Sequence, residues 1–320
     1  MSTLFTGISE LRTVSERGTL NDAAIIAQSG TIAWVGPASE APAADEKVDL
    51  GGRAVLPGWV DSHTHMVFDG DRSAEFEARI SGGSYEAGGI AVTMDATRQA
   101  GTDRLDKLVA DRVAAGRRGG TTTFETKTGY GLNTESEVEA AKVASRHVDD
   151  VTFLGAHLVP PGADAEEYLD EVVGPMLEGV APYVQWIDVF CERGAFNEEQ
   201  SRRVLEAGKK LGLGLRVHGN QLGEGPGVAL AVELGAASVD HVNHLSDEDV
   251  ELLANYDTVA TILPPCDLST REPLAPGRTL LDAGATLAIA SNLNPGTSYT
   301  SSINYCVTTA VLQQHLSVDE

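Results

Sequence analysis

From residue 59 onward the chain repeats one pattern eight times: a short apolar segment, a loop, then a stretch with helical spacing. The apolar segments are residues 59–61, 121–126, 151–156, 184–190, 214–217, 238–241, 258–263 and 286–290. Each has the length and the β-branched or apolar content of a strand. Between two of them, Leu105, Leu108, Val109 and Val113 form an apolar stripe at helical spacing. Asn197 with Gln200 predicts a capping box for a helix carrying Val204, Leu205 and Leu211. Ser246 is predicted to cap the helix bearing Val250, Leu252 and Leu253. Eight strand–helix alternations predict an α/β chain folded as an (α/β)₈ TIM-like barrel. A doubly wound open sheet is the competing arrangement, but no Gly-x-Gly-x-x-Gly follows a strand.

The first 56 residues read differently. Segments 23–28 and 31–35 flank Ser29-Gly30, a hairpin signal, and Gly51-Gly52 precedes a short strand at 53–56. Pro57-Gly58 then punctuates the chain. A β-rich unit over 1–56 and a barrel over 57–320 are expected. Ser317-Val318-Asp319-Glu320 has the form of a helix-opening capping box, so the chain is expected to stop where a further helix begins.

Composition narrows the partners. A net charge of −24 repels nucleic acid and anionic membrane, and neither is expected to bind. An anionic substrate would need a local cation. The three cysteines form no Cys-x-x-Cys pair, which argues against a disulfide framework or a thiolate zinc site. No basic segment followed by an apolar run opens the chain, and no run of about 18 apolar residues occurs. A reducing cytoplasm is the expected location.

Barrels of this kind gather their chemistry at the C-terminal ends of the strands. The first strand ends in Asp61-Ser62-His63-Thr64-His65. Residues two apart in an extended segment share a side, so His63 and His65 can reach one metal ion. His157, His218 and His241 stand at the ends of the third, fifth and sixth strands, with His244 just beyond. His147 and His315 fall in helical segments. Each histidine alone is more often a satisfied polar residue than a ligand. Six of them at strand ends define a candidate metal site. At the eighth strand end a metal hydrolase wants a carboxylate, to take a proton from the attacking water and pass it to the leaving nitrogen. Asn292 stands there; its amide oxygen accepts a hydrogen bond or coordinates, but it is no base.

These residues sit inside longer stretches. The segment Val55 to His65, Val67-Phe68 with Gly70-Asp71-Arg72, Lys127-Thr128-Gly129-Tyr130-Gly131-Leu132, Thr152 to His157, Asp188-Val189-Phe190-Cys191-Glu192 and Asn294-Pro295-Gly296-Thr297-Ser298 together resemble the imidazolonepropionase family of the amidohydrolase superfamily. The resemblance runs from about Gly30 to the last residue. It implies opening of the ring of 4-imidazolone-5-propanoate by water, giving N-formimidoyl-L-glutamate. It implies one divalent metal ion, Zn or Fe, on His63, His65 and His218, with position 292 as the fourth contact. His241 would orient the water or stabilise the oxyanion. Arg72 would grip the substrate propionate, supplying the missing cation. Tyr130, His157 and Gln221 would line the ring pocket, and Asn294, Gly296 and Thr297 would contact substrate from the last loop. A homodimer is implied too, as is a composite β-sandwich domain of which residues 1–56 supply the N-terminal part.

Without the resemblance, Arg72 reads as a surface ion pair, Tyr130 as a turn aromatic, Asn294-Pro295-Gly296 as a turn and Gln221 as a solvated loop residue. Cys191 reads as a buried apolar neighbour. Two other functions stay open: another amidohydrolase, such as a cyclic amidase or a deaminase, or a catalytically disabled homologue that binds ligand. Arg72 and Tyr130 speak against a deaminase; Asn292 speaks for the disabled form.

Overall fold

The computed structural model describes residues 1–82 and 89–320. The chain divides into two compact units, Met1–Gly58 and Trp59–Glu320.

The first unit is a four-stranded sheet of β1 (Ser2–Arg12), β2 (Thr19–Gln28), β3 (Thr31–Pro37) and β4 (Glu46–Val55), in the order β3-β2-β1-β4. β2 pairs antiparallel with both β1 and β3, and β4 joins β1 in parallel. Ser29 and Gly30 both have positive φ, the backbone that a tight hairpin demands. Ile8, Leu11 and Ala23 make a small core, with Leu20, Ile25, Val35, Leu50 and Val55 packed on it. β1 carries no clean alternation. Its register shifts between Phe5 and Ile8, around Gly7 at φ +65, and a bulge of this kind breaks the two-residue period.

The second unit is the barrel. Its strands are β5 (Trp59–Asp61), β6 (Thr121–Lys127), β7 (Asp150–Ala156), β8 (Trp186–Cys191), β9 (Gly214–Gly219), β10 (Ser238–His241), β11 (Val259–Ile262) and β12 (Leu287–Ile289). They pair in chain order, each parallel to the next. All eight strands predicted from the repeat are present, with ends moved by a residue or two. The two ends of the order, β5 and β12, are joined beyond their last residues. Thr64 bridges Leu293 in parallel, His65 N–H donates to the Leu293 carbonyl (2.8 Å) and Asn292 N–H to the His63 carbonyl (3.0 Å). Below them the Asp61 carboxyl accepts both the N–H and the hydroxyl of Ser291, at 3.0 and 2.6 Å. Burial lifts that carboxyl to about 7 against the pull of these bonds.

The outer helices follow their sequence signals, except that Leu211 lies just past the end of its helix and is exposed. Helix Thr102–Arg118 buries Leu105, Val109 and Val113. Reciprocal capping boxes open Glu198–Lys210, through Asn197 and Gln200, and Asp247–Asn255, through Ser246 and Asp249. Ser317 and Glu320 make the same reciprocal pair at the chain end, and Arg278 holds Glu320 at 3.0 Å. Among the described residues no helix is long and apolar enough to cross a membrane.

Candidate active site

The strand ends converge on one narrow cleft that opens to solvent. His65, Arg72, Tyr130, His157, His218, Gln221, His241, Asn292, Asn294 and Thr297 line it, with Ile90 and Phe190 as apolar wall. Of the residues singled out from the sequence, two stand behind this lining. His63 lies fully buried beneath it, and Gly296 packs behind Arg72. His244 and His147 sit apart, paired with Glu272 and Asp106. Cys191 is buried, and burial pushes its thiol up, as for an inert core cysteine.

The floor of the cleft is a cluster of imidazoles. His63 Nδ1 lies 2.7 Å from Asp240 Oδ2, and His218 Nδ1 lies 3.0 Å from Asp188 Oδ2. A carboxylate on Nδ1 fixes the tautomer that leaves Nε2 as a lone pair. The Nε2 atoms of His63 and His65 face each other at 3.2 Å. His218 Nε2, His241 Nδ1 and Asn292 Oδ1 are buried without a hydrogen-bond partner among the described residues. The ligating nitrogens of His63, His218 and His241 all lie within 4.8 Å of one another. His241 therefore belongs to this group, while His65 flanks it with its ring against His63 and His218. The φ of +84 at His241 turns it off the line of β10 and into the group. Burial first, then the charges of neighbouring groups, hold His63, His65 and His241 well below the ordinary histidine range. Neutral imidazoles with unspent lone pairs and carboxylate backing fit a divalent metal ion with a taste for nitrogen.

The wall opposite is cationic. Arg72 precedes helix Ser73–Ile80, and its guanidinium takes both oxygens of Glu75 at 2.7 and 2.8 Å. Arg79, one turn on, holds Glu75 at 2.9 Å and donates to the Gly296 carbonyl. The pair is thus an ion pair, with Arg72 only 5% exposed and the Glu75 side chain 27% exposed. Among the described residues, Arg72 and Arg79 share the Glu75 carboxylate. Gly296 lies so close to Arg72 that a Cβ there would come within 2.3 Å of Arg72 Cζ. Gly296→Ala must push the guanidinium aside. If the guanidinium grips substrate and transition state alike, a rise in KM with kcat little changed is the expected result in steady-state kinetics.

Between floor and wall, His157 stacks on His65 at 5.6 Å and lies 5.4 Å from Tyr130. His157 Nδ1 donates to the Gly129 carbonyl (2.8 Å), so its Nε2 is the acceptor. Burial pulls His157 down to about 4 despite that bond. The loop bearing Tyr130 is tied by buried Glu137, which accepts the N–H groups of Gly129, Gly131 and Leu132 at 2.7–2.8 Å. Asn294 is saturated within its own loop. Its amide nitrogen donates to the Asn292 carbonyl and Thr297 hydroxyl, and its oxygen accepts from Gly296 and Thr297 N–H. Its side chain shapes the turn.

No carboxylate lines the cleft among the described residues. Glu192, behind Gln221, spends its oxygen on the N–H groups of Gln221 and Leu222. Sequence reasoning passed over Glu75, Arg79, Glu125, Lys127 and Glu137. The available signal was charge at inward positions: Glu125 and Lys127 alternate along a central strand, where a solvated charge has no place.

The eight-stranded parallel barrel gathers imidazoles at its strand ends, where His63, His218 and His241 could hold a metal ion. No protein-family model matches the chain. In fold it is similar to a zinc-bound adenosine deaminase from Xanthomonas campestris (TM-score 0.69, 17% identity, 98% of this chain and 73% of that one). It is also similar to Aspergillus niger ochratoxinase, which the solved structure names A. niger (TM-score 0.69, 16% identity, 98% and 80%). In sequence it is 64% identical to the imidazolonepropionase of Arthrobacter sp. strain FB24, over all of this chain and 83% of the relative. Against the imidazolonepropionase of Streptomyces griseus the identity is 51%, with the same coverage. The chain belongs to the imidazolonepropionase family.

Proposed function

We propose that the chain hydrolyses the ring amide of 4-imidazolone-5-propanoate to N-formimidoyl-L-glutamate. One observation carries this reading: a single small cleft joins a floor of neutral imidazoles to a cationic wall at Arg72. A planar ring with an anionic tail matches both ends. The relatives' shared name supplies the same substrate.

His63, His65, His218 and Asn292 would hold one divalent ion, Zn²⁺ or Fe²⁺, with His241 beside them. When bound, such an ion polarises a carbonyl and acidifies water. The remaining steps belong to the chain's own groups. Arg72 binds the propionate and fixes which ring edge faces the floor. His157 Nε2 accepts a ring N–H, while Tyr130 packs beside it. His241 orients the attacking water or donates to the developing oxyanion. Water adds to the ring carbonyl carbon, the ring C–N bond breaks, and a proton goes to the departing nitrogen. Asn292 cannot carry that proton. Asn294 and Gly296 act through the loop they shape, and Thr297 and Gln221 close the sides.

The lack of a carboxylate in the cleft among the described residues favours a second reading beside the first: a homologue that binds ligand but turns over slowly. A deaminase-like activity on a neutral substrate would leave Arg72 without a task. The test combines elemental analysis with a ring-opening assay on imidazolone propanoate and on an analogue lacking the carboxylate. Stoichiometric zinc or iron, lost to a chelator, and a much stronger response to the carboxylate-bearing compound than to the analogue are expected. A chain that stays metal-free after loading with either ion, or that prefers the tail-less analogue, sinks the assignment.

A further inference from the structure

Beneath the imidazole floor lies a second, drier layer of charge. Lys127, at the end of β6, is fully buried. Its Nζ lies 3.0 Å from Glu125 Oε1, 3.0 Å from Asp188 Oδ2 and 3.8 Å from Asp240 Oδ2. None of these carboxylates is more than 3% exposed. Each has a second contact that leads upward. Asp240 Oδ2 meets His63 Nδ1, and Asp188 Oδ2 meets His218 Nδ1. Glu125 Oε2 accepts the N–H of Thr64, the residue between His63 and His65, at 3.1 Å.

We propose that Lys127 is a positioning residue for the metal site, one ammonium holding the three carboxylates that aim His63, His65 and His218. The inference rests on the metal reading given above and goes beyond it to a residue that touches neither ion nor substrate. Its physical basis is charge balance at close range. Three carboxylates packed in a dry interior repel one another strongly, and one ammonium among them turns repulsion into a fixed arrangement. Without it, the anions separate, and the rings and backbone they orient move with them. Burial opposes charge on Lys127, yet Glu125, Asp188 and Asp240 outweigh it and hold the amine above its ordinary range. Arg216, whose guanidinium stacks on Trp186 and donates to the Ser62 carbonyl, adds positive charge near Asp240 but makes no contact that replaces the ammonium.

The test is zinc affinity, measured by competition with a chelator, together with the rise in melting temperature on zinc addition. Four proteins are compared: the parent chain, Lys127→Met, the Asp188→Asn/Asp240→Asn pair, and that pair with Lys127→Met added. Lys127→Met is expected to weaken zinc binding about 10–100-fold, the usual cost of losing an outer-shell partner, and to shrink the zinc-induced rise in Tm. In the background with both aspartates already amidated, most of that loss should vanish, because groups acting through one another are not additive. Unchanged zinc affinity in Lys127→Met overturns the proposal. So does a fall confined to the metal-free Tm, which marks a lysine with a merely structural task. Equal zinc losses in both backgrounds overturn it too, since the lysine then acts by another route. If Lys127→Met does not fold, Glu125→Gln/Lys127→Met removes one charge of each sign and is judged by the same criteria. A parent chain that binds no zinc at all defeats the metal reading itself, and the positioning role with it.

Discussion

Asn292→Asp raises the rate of imidazolone ring opening by about 10²–10⁴-fold, the usual contribution of a positioned proton carrier. The substitution is nearly isosteric, and the position tolerates it. Asn292 has φ +52, a left-handed conformation that Asp adopts almost as readily as Asn. Its N–H stays on the His63 carbonyl, and its carbonyl stays on the Asn294 amide. Only the side-chain tip changes, from an amide whose oxygen is buried without a partner to a carboxylate facing the imidazoles. That carboxylate can take a proton from water and release it to the departing nitrogen. It also adds a full negative charge to a neutral donor set, so metal should bind more tightly. The check is steady-state kinetics on metal-loaded parent and variant. Equal rates would remove the proton-carrying role from position 292. A metal-loaded variant with no ring opening at all would remove the substrate.

Arg72→Met, made in the Asn292→Asp background so that turnover is measurable, raises KM for the carboxylate-bearing substrate steeply. Truncating one partner of a buried, hydrogen-bonded charge pair costs about 2–5 kcal/mol, roughly 30-fold to several-thousand-fold in affinity. Glu75 keeps Arg79 as its partner in the variant, which spares the protein a lone buried anion. The discriminating measurement is the same assay with the tail-less analogue, whose weak turnover should not change. Parallel losses on both compounds would mean that Arg72 supports the loop at Gly296 rather than the propionate.

Legibility of the chain follows the range of the interaction. The eight barrel strands and two helix starts are written in neighbouring residues, through apolar runs, Asn197 with Gln200, and Ser246. β1 is not, because the bulge at Gly7 breaks its period. At the site, histidines at strand ends are visible as types and positions. Their mutual distances are not: His241 enters the cluster through a positive φ that no alternation rule anticipates. The Lys127 layer is harder still. Its meaning lies in contacts among β6, β8 and β10, residues as much as 113 apart along the chain, which only closure of the barrel brings together. Glu137 is similar, a helix residue whose task is to hold the Tyr130 loop.

The junction between β5 and β12 gives the site a mechanical aspect. A barrel of parallel strands has one place where its first and last staves meet, and here the staves touch at Asp61, His63, Thr64 and His65 on one side and at Ser291, Asn292 and Leu293 on the other. The groups proposed to grasp the ion stand on both sides of that joint. An ion gripped across it works as a rivet, and the wall cannot part there without first releasing what it holds. Filling the site and keeping the cylinder shut are then one equilibrium seen from two ends.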